Sequence, residues 1–229
     1  MLRQVSPVSS RSSGGGSGRR EVRWRTRGLI RSYWDIWIVA AAVVVANLRL
    51  PAGGSTDNLA LVPAKVAAGE WWRLLTHPFA HITVYHLLLD GVPFFLLYPF
   101  LDEKRPGWRL MYVVFSGAGA AAAAWGLPVV SEGGFRGLSG VTYGVMAVAS
   151  LEMACGSGRT GSQRAVGAAV LAFLTAMIAA ELATGRFPFE FLLFGMVGTP
   201  VLACHAGGVI GALCAHLLRG ARTGFRCAC

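Results

Sequence analysis

The sequence predicts an all-α polytopic membrane protein, a bundle of six transmembrane helices, and three observations carry that expectation. Only 14% of the 229 residues are charged and 54% are hydrophobic, where an ordinary soluble domain carries about 25% charged residues. Mean hydropathy is +0.53, and the apolar residues gather in runs close to the ~20 positions a helix needs to cross a bilayer. The cations fall between these runs rather than over a polar domain, so the net charge of +10 reads as membrane orientation rather than nucleic-acid binding. No nucleic-acid partner is expected; the lipid bilayer is.

Residues 1–33 come first, with eight arginines inside the first 31 positions and the stretch SSRSSGGGSGRR. Such composition cannot build a core and predicts a disordered basic cytoplasmic tail. It is a poor signal peptide, because the apolar run after it shows no small-residue cleavage pattern. The membrane domain then occupies 34–218, with apolar runs at 34–50, 79–101, 110–127, 138–155, 165–183 and 201–218. Gly, Pro or charge bounds each run. The third to sixth runs are rich in Gly and Ala, which suits close helix packing within lipid. Residues 219–229 read as a short basic cytoplasmic tail. The link after the first run carries Trp71 and Trp72, suited to the headgroup level, so the link lies either on the outer bilayer face or in solvent. Five cysteines show no metal or disulfide spacing, and those inside helices read as small apolar fillers.

Orientation follows from the cations. The N-terminal tail, Lys104, Arg105, Arg109, Arg159, Arg164, Arg219, Arg222 and Arg226 together place 16 on one side, against Arg49, Lys65, Arg73, Arg136 and Arg186 on the other. The positive-inside rule therefore puts both termini in the cytoplasm of a multi-pass protein of the cell's inner (plasma) membrane.

Polar groups inside apolar runs are costly and mark function. THPFAHITVYHLLLD sets His77, His81, His86 and Asp90 along about three and a half helical turns. Ser139 opens the fourth run and His205 stands near the start of the sixth. All three of these runs enter from the outer side, so His86, Ser139 and His205 fall in one shallow layer. A serine between glycines is ordinarily a packing device and a lone apolar-helix histidine is often structural; shared depth favours chemistry. Ser139 needs a base, and His205 is the better candidate because Gly207, Gly208 and Gly211 let its helix approach, as Gly137 and Gly140 do around Ser139. Tyr143, one turn beyond Ser139, can support the imidazole with its ring. No acidic residue near His205 in the chain completes a triad, so a Ser-His dyad held by packing is expected. His86, the Ser139 backbone N–H and Asp90 are the candidates around a developing oxyanion. An ionised Asp90 would repel that charge, and it must be protonated, turned away, or orienting His86. His77 and His81, at the membrane edge, read as headgroup or loop contacts. Val141 breaks a G-x-S-x-G elbow, Pro78 breaks H-E-x-x-H, and no metal or cofactor is expected.

At WWRLLTHPFAHITVYHLLLD (71–90), GLSGVTYG (137–144) and HAGGVIG (205–211), over about residues 34–218, the chain resembles the rhomboid intramembrane serine proteases. The resemblance implies a six-helix rhomboid-like bundle that cleaves membrane proteins near the outer face. It implies Ser139 as nucleophile, His205 as general base, His86 on the oxyanion side, Tyr143 as the supporting tyrosine, and Trp72–Arg73 as the first-loop pair. Asp90 departs from the pattern, which commonly has Asn there. The length without a folded accessory domain resembles the bacterial rhombosortase branch. That implies transmembrane or C-terminally anchored substrates with a Gly-rich anchor signal. The rival expectation is a non-catalytic rhomboid-like protein that guides membrane clients.

Overall fold

Proline and glycine set most of the helix ends. Proline, whose missing N–H is no loss at a first helical position, opens α2 (Pro63–Ala67), α5 (Pro106–Ala124) and α6 (Pro128–Gly133). A capping box at Thr160 and Gln163 opens α8 (Gly161–Thr184), and Gly185 closes it in the left-handed region at φ 65°. The computed structural model describes residues 34–223. The tail expected over 1–33, and residues 224–229 of the C-terminal one, lie outside the described residues.

The remaining helices are α1 (Trp34–Asn47), α3 (Arg73–Thr76), α4 (Val84–Leu97), α7 (Ser139–Cys155) and α9 (Ala203–Thr223). Among the described residues the extended structure is one antiparallel bridge, Leu61 to Phe135. α9 lies against α5 and α7, and α7 against α4 and α8. The chain is an all-α polytopic membrane protein. By length and hydropathy, residues Trp34–Ala52 and Gly161–Thr184 qualify as spans, and Arg73–Phe79 with Val84–Phe100 qualifies as one bent pair. α5, α7 and α9 are built from Gly, Ala and Ser as well as large apolar residues, and small side chains that favour helix contact carry little hydropathy.

The distribution of polarity is that of a body solvated by lipid. Trp37, Val45, Leu96, Phe173, Ile210 and Leu217 face outward, while Asp35, Arg109, Glu152, Glu181, His205 and His216 are buried. Buried charge demands partners, and Arg109, counted above among loop cations, is instead fully buried with Nε 3.0 Å from Asp35. Tyr98 donates to the same carboxylate at 2.8 Å. Arg219 likewise belongs to α9, not to a tail starting at 219, and pairs with Glu103 and Glu152.

The second apolar run corrects the expectation of a continuous helix from 79. The segment Arg73–Phe79 meets Val84–Phe100 at 89°, and α4 begins only at Val84, where Thr83 caps the N–H of His86 at 3.0 Å. Non-helical backbone at such depth is tolerated only when protein satisfies it. Here Asn47 donates to Phe79 O at 2.6 Å and accepts from His81 N at 2.9 Å, and Thr56 donates to His81 O at 2.6 Å. The bend carries His77 and His81 inward. Both are buried, at 1% and 0% exposure, which corrects the headgroup reading; what they meet is loop, His77 O accepting from Gly137 N at 3.1 Å and His81 O from Thr56 Oγ1 at 2.6 Å.

Close contact of α5, α7 and α9 follows from glycine. A Cβ on Gly208 would overlap the Gly140 carbonyl, and one on Gly207 would overlap the Gly119 carbonyl. Dispersion at this range replaces the hydrophobic drive that lipid removes.

Candidate active site

Three helices begin at one place. His86 is the third residue of α4, Ser139 the first of α7 and His205 the third of α9. Helix starts carry unsatisfied N–H groups and the positive end of the dipole, so their convergence favours negative charge. All three residues line a cavity of about 250 Å³, together with Asp90, Tyr143 and Cys204.

The approach to Ser139 is held rigidly. Leu61 and Phe135 exchange backbone hydrogen bonds at 2.8 and 2.9 Å, and Gly137 N donates to His77 O at 3.1 Å. Gly137 has φ +123°, and a Cβ there would stand 2.8 Å from Asp90 Oδ2 and 3.0 Å from His86 Nε2. Only glycine suits that backbone and that space. Gly140 is required on the other side of the serine, where a Cβ would meet Ala120 Cβ at 2.7 Å and Cys204 O at 2.9 Å.

Asp90 is where donors meet. Its Oδ2 accepts the Ser139 backbone N–H at 3.1 Å and lies 3.2 Å from His86 Nε2 and 3.7 Å from His81 Nε2. The tautomer of His86 follows from its other nitrogen. Nδ1 accepts from Ile82 N at 3.3 Å, so a neutral ring carries its proton on Nε2, the nitrogen 3.2 Å from Asp90 Oδ2. Two N–H groups expected around an oxyanion therefore converge on a carboxylate oxygen of this chain. Among the described residues no group of three or more His, Cys, Asp or Glu is arranged to hold a metal ion.

His205 is set from two sides. Its ring stacks on Tyr143 with centroids 4.0 Å apart and planes 7° from parallel. Its Nδ1 is 2.7 Å from Glu181 Oε2, and Tyr143 OH donates to Glu181 Oε1 at 3.3 Å. The expectation of an imidazole without a carboxylate neighbour is thus corrected. Glu181 stands in the last turn of α8, 24 residues before His205, and proximity along the chain gave no cue to it. One signal for it lies in the sequence: Glu181 is a lone glutamate in an otherwise uncharged run from 165 to 185, a polar group in an apolar run as the histidines are.

The Ser139 hydroxyl, among the described residues, is not hydrogen-bonded to His205; it lies 3.7 Å from Cys204 Sγ. Cys204, read from sequence as an apolar filler, is buried but lines the cavity beside the serine. Above the cavity runs the 185–202 connection. Thr83 Oγ1 donates to Met196 O at 2.9 Å, and the Tyr85 ring meets Phe194 edge-on at 5.8 Å. Phe187, Leu192 and Val197 complete an apolar wall.

A family model described as Rhomboid domain matches residues 68–222, which takes in α3 to α9 up to residue 222 and leaves out α1 and α2. No curated protein and no solved structure matches the chain.

Proposed function

Because the chain belongs to the rhomboid family of membrane proteins, we propose that it is an intramembrane serine endopeptidase with Ser139 as nucleophile and His205 as general base. The observation that carries this reading is the meeting of three helix starts, bearing His86, Ser139 and His205, at one cavity. Around it we propose the six-helix rhomboid-like bundle over 34–218, both termini in the cytoplasm of the inner membrane, and a site opening near the outer face.

In the proposed reaction a transmembrane or C-terminally anchored substrate bends into the cavity from the side. Segments rich in Gly or other helix breakers are preferred, since an intact helix shields its peptide bonds. The serine turns from Cys204 toward His205 Nε2, a contact of the kind that often forms only with substrate bound. His205 takes the hydroxyl proton as Oγ bonds to the scissile carbonyl carbon. Charge moves to the carbonyl oxygen, where His86 Nε2–H and the Ser139 N–H, released by Asp90, stabilise it. The tetrahedral species collapses with breakage of the C–N bond, and His205 gives its proton to the leaving amine. Water, deprotonated by His205, then attacks the acyl carbon; the C–Oγ bond breaks, the new C-terminal carboxyl product leaves, and His205 returns the proton to Ser139 Oγ. Within that family the narrower reading is a rhombosortase-like branch that takes substrates with a Gly-rich C-terminal anchor.

A non-catalytic client-binding role has two observations in its favour: the serine hydroxyl rests on Cys204, and the Ser139 N–H is bonded to Asp90 with His86 Nε2 3.2 Å from the same oxygen. One experiment separates the two. In proteoliposomes supplied with Gly-rich anchored substrates, Ser139→Ala is expected to abolish cleavage with the melting transition unchanged. Cleavage at the same bond by the alanine variant contradicts the proposal.

A further inference from the structure

We propose that Glu181 is a positioning residue of this site, an acid that fixes the tautomer and ring orientation of His205 and so extends the pair to a Ser-His-Glu triad. This rests on the proteolytic reading of Ser139 and His205. Glu181 is 1% exposed, and it sits at the carbonyl end of α8, where the helix dipole disfavours a carboxylate. Membrane depth disfavours it again. A group placed against two local rules is retained for what it contacts.

Both of its oxygens are used within the site. Oε2 is 2.7 Å from His205 Nδ1, the length of a charge-assisted bond. Oε1 accepts the Tyr143 hydroxyl at 3.3 Å, and the ring of that tyrosine lies flat on the imidazole. Glu181, Tyr143 and His205 come from α8, α7 and α9, so the closed set holds the imidazole in plane and in rotation at once. A carboxylate only accepts. His205 therefore donates from Nδ1 and keeps its lone pair on Nε2, the nitrogen that must take the Ser139 proton. As that proton arrives the ring becomes a cation, and the buried carboxylate beside it stabilises the charge. No proton passes to Glu181 in this scheme; it acts through His205. An amide in its place can present its NH2 to Nδ1 and lock the opposite tautomer, which costs roughly 10⁴ in kcat where the carboxylate of a Ser-His-Asp site is so changed.

The test compares wild type with Ser139→Ala, Glu181→Gln, Glu181→Asp and Glu181→Ala in proteoliposomes, reading kcat and KM for anchored-peptide cleavage and the thermal transition. The expected result is a kcat for Glu181→Gln lower by about 10²–10⁴-fold. KM should stay within about threefold and the transition unmoved, with Glu181→Asp recovering a substantial part of the loss. Activity of Glu181→Gln equal to wild type, a change confined to KM, or equal losses in Gln and Asp variants that track a lowered transition each overturn the proposal. Retained cleavage by Ser139→Ala overturns the proteolytic reading itself, so the two failures are told apart.

Discussion

Asp90 holds a carboxylate oxygen where the Ser139 N–H and His86 Nε2–H converge, the geometry an oxyanion would demand. Hydrogen bonds to an ionised acceptor are roughly twice as strong as neutral ones, so an ionised Asp90 would compete for the donors that the proposed transition state requires. Asp90→Asn weakens that competition and adds an N–H donor facing the same point. We expect kcat to rise about tenfold, equivalent to roughly 1.4 kcal/mol of barrier, with KM little changed; steady-state cleavage of an anchored peptide checks it, and a tenfold fall instead would assign the charge a productive role. The site was partly legible in the sequence for the same reason that Asp90 stood out. Polar side chains in apolar runs are rare, and Ser139, His205, His86 and Tyr143 are all drawn to one cavity. Glu181 escaped because its partner lies a whole helix away, and the bond that makes it matter is tertiary.

At the scale of elements, the long helices fall close to the apolar runs, because hydropathy and Gly/Pro punctuation are local properties. The break at 80–83 was not legible. It depends on Asn47 and Thr56 from other segments taking up the freed backbone groups, and THPFAHITVY in isolation reads as helix. The burial of His77 and His81 follows from that break. Long-range ties also fasten the other ends of the helices. Glu103, in the link between α4 and α5, binds Arg105 at 2.9 Å and Arg219 of α9 at 3.3 Å. Burial pushes its carboxyl up, yet the hydrogen bonds and charge of Arg105, with Arg219 behind, outweigh burial and hold it down at about 2 against an ordinary value of 4.5. A depressed carboxylate stabilises the fold above its unfolded value and loses that contribution as pH falls toward the folded one. Glu103→Gln should therefore lower the thermal transition in detergent at pH 7, and the gap to wild type should narrow between about pH 4.5 and 2. A gap independent of pH would show that the ion pairs contribute nothing through charge.

For the whole molecule, polarity is turned inside out relative to a soluble protein. Asp35, Arg109, Glu152, Glu181 and all five histidines are buried beside the apolar core, while many large apolar side chains face outward. That arrangement shelters polar groups among helices whose glycines permit contact, as the proposed hydrolysis within a bilayer would require. The central claim is that Ser139 is the activated nucleophile of this assembly. The measurement that addresses it most directly is mass spectrometry of the protein in native membranes after reaction with a fluorophosphonate. The account predicts a single phosphonyl adduct on the peptide containing Ser139, lost when His205 is replaced by Ala. Labelling of Cys204 or of another serine in place of Ser139, or undiminished Ser139 labelling in the His205→Ala protein, would contradict it.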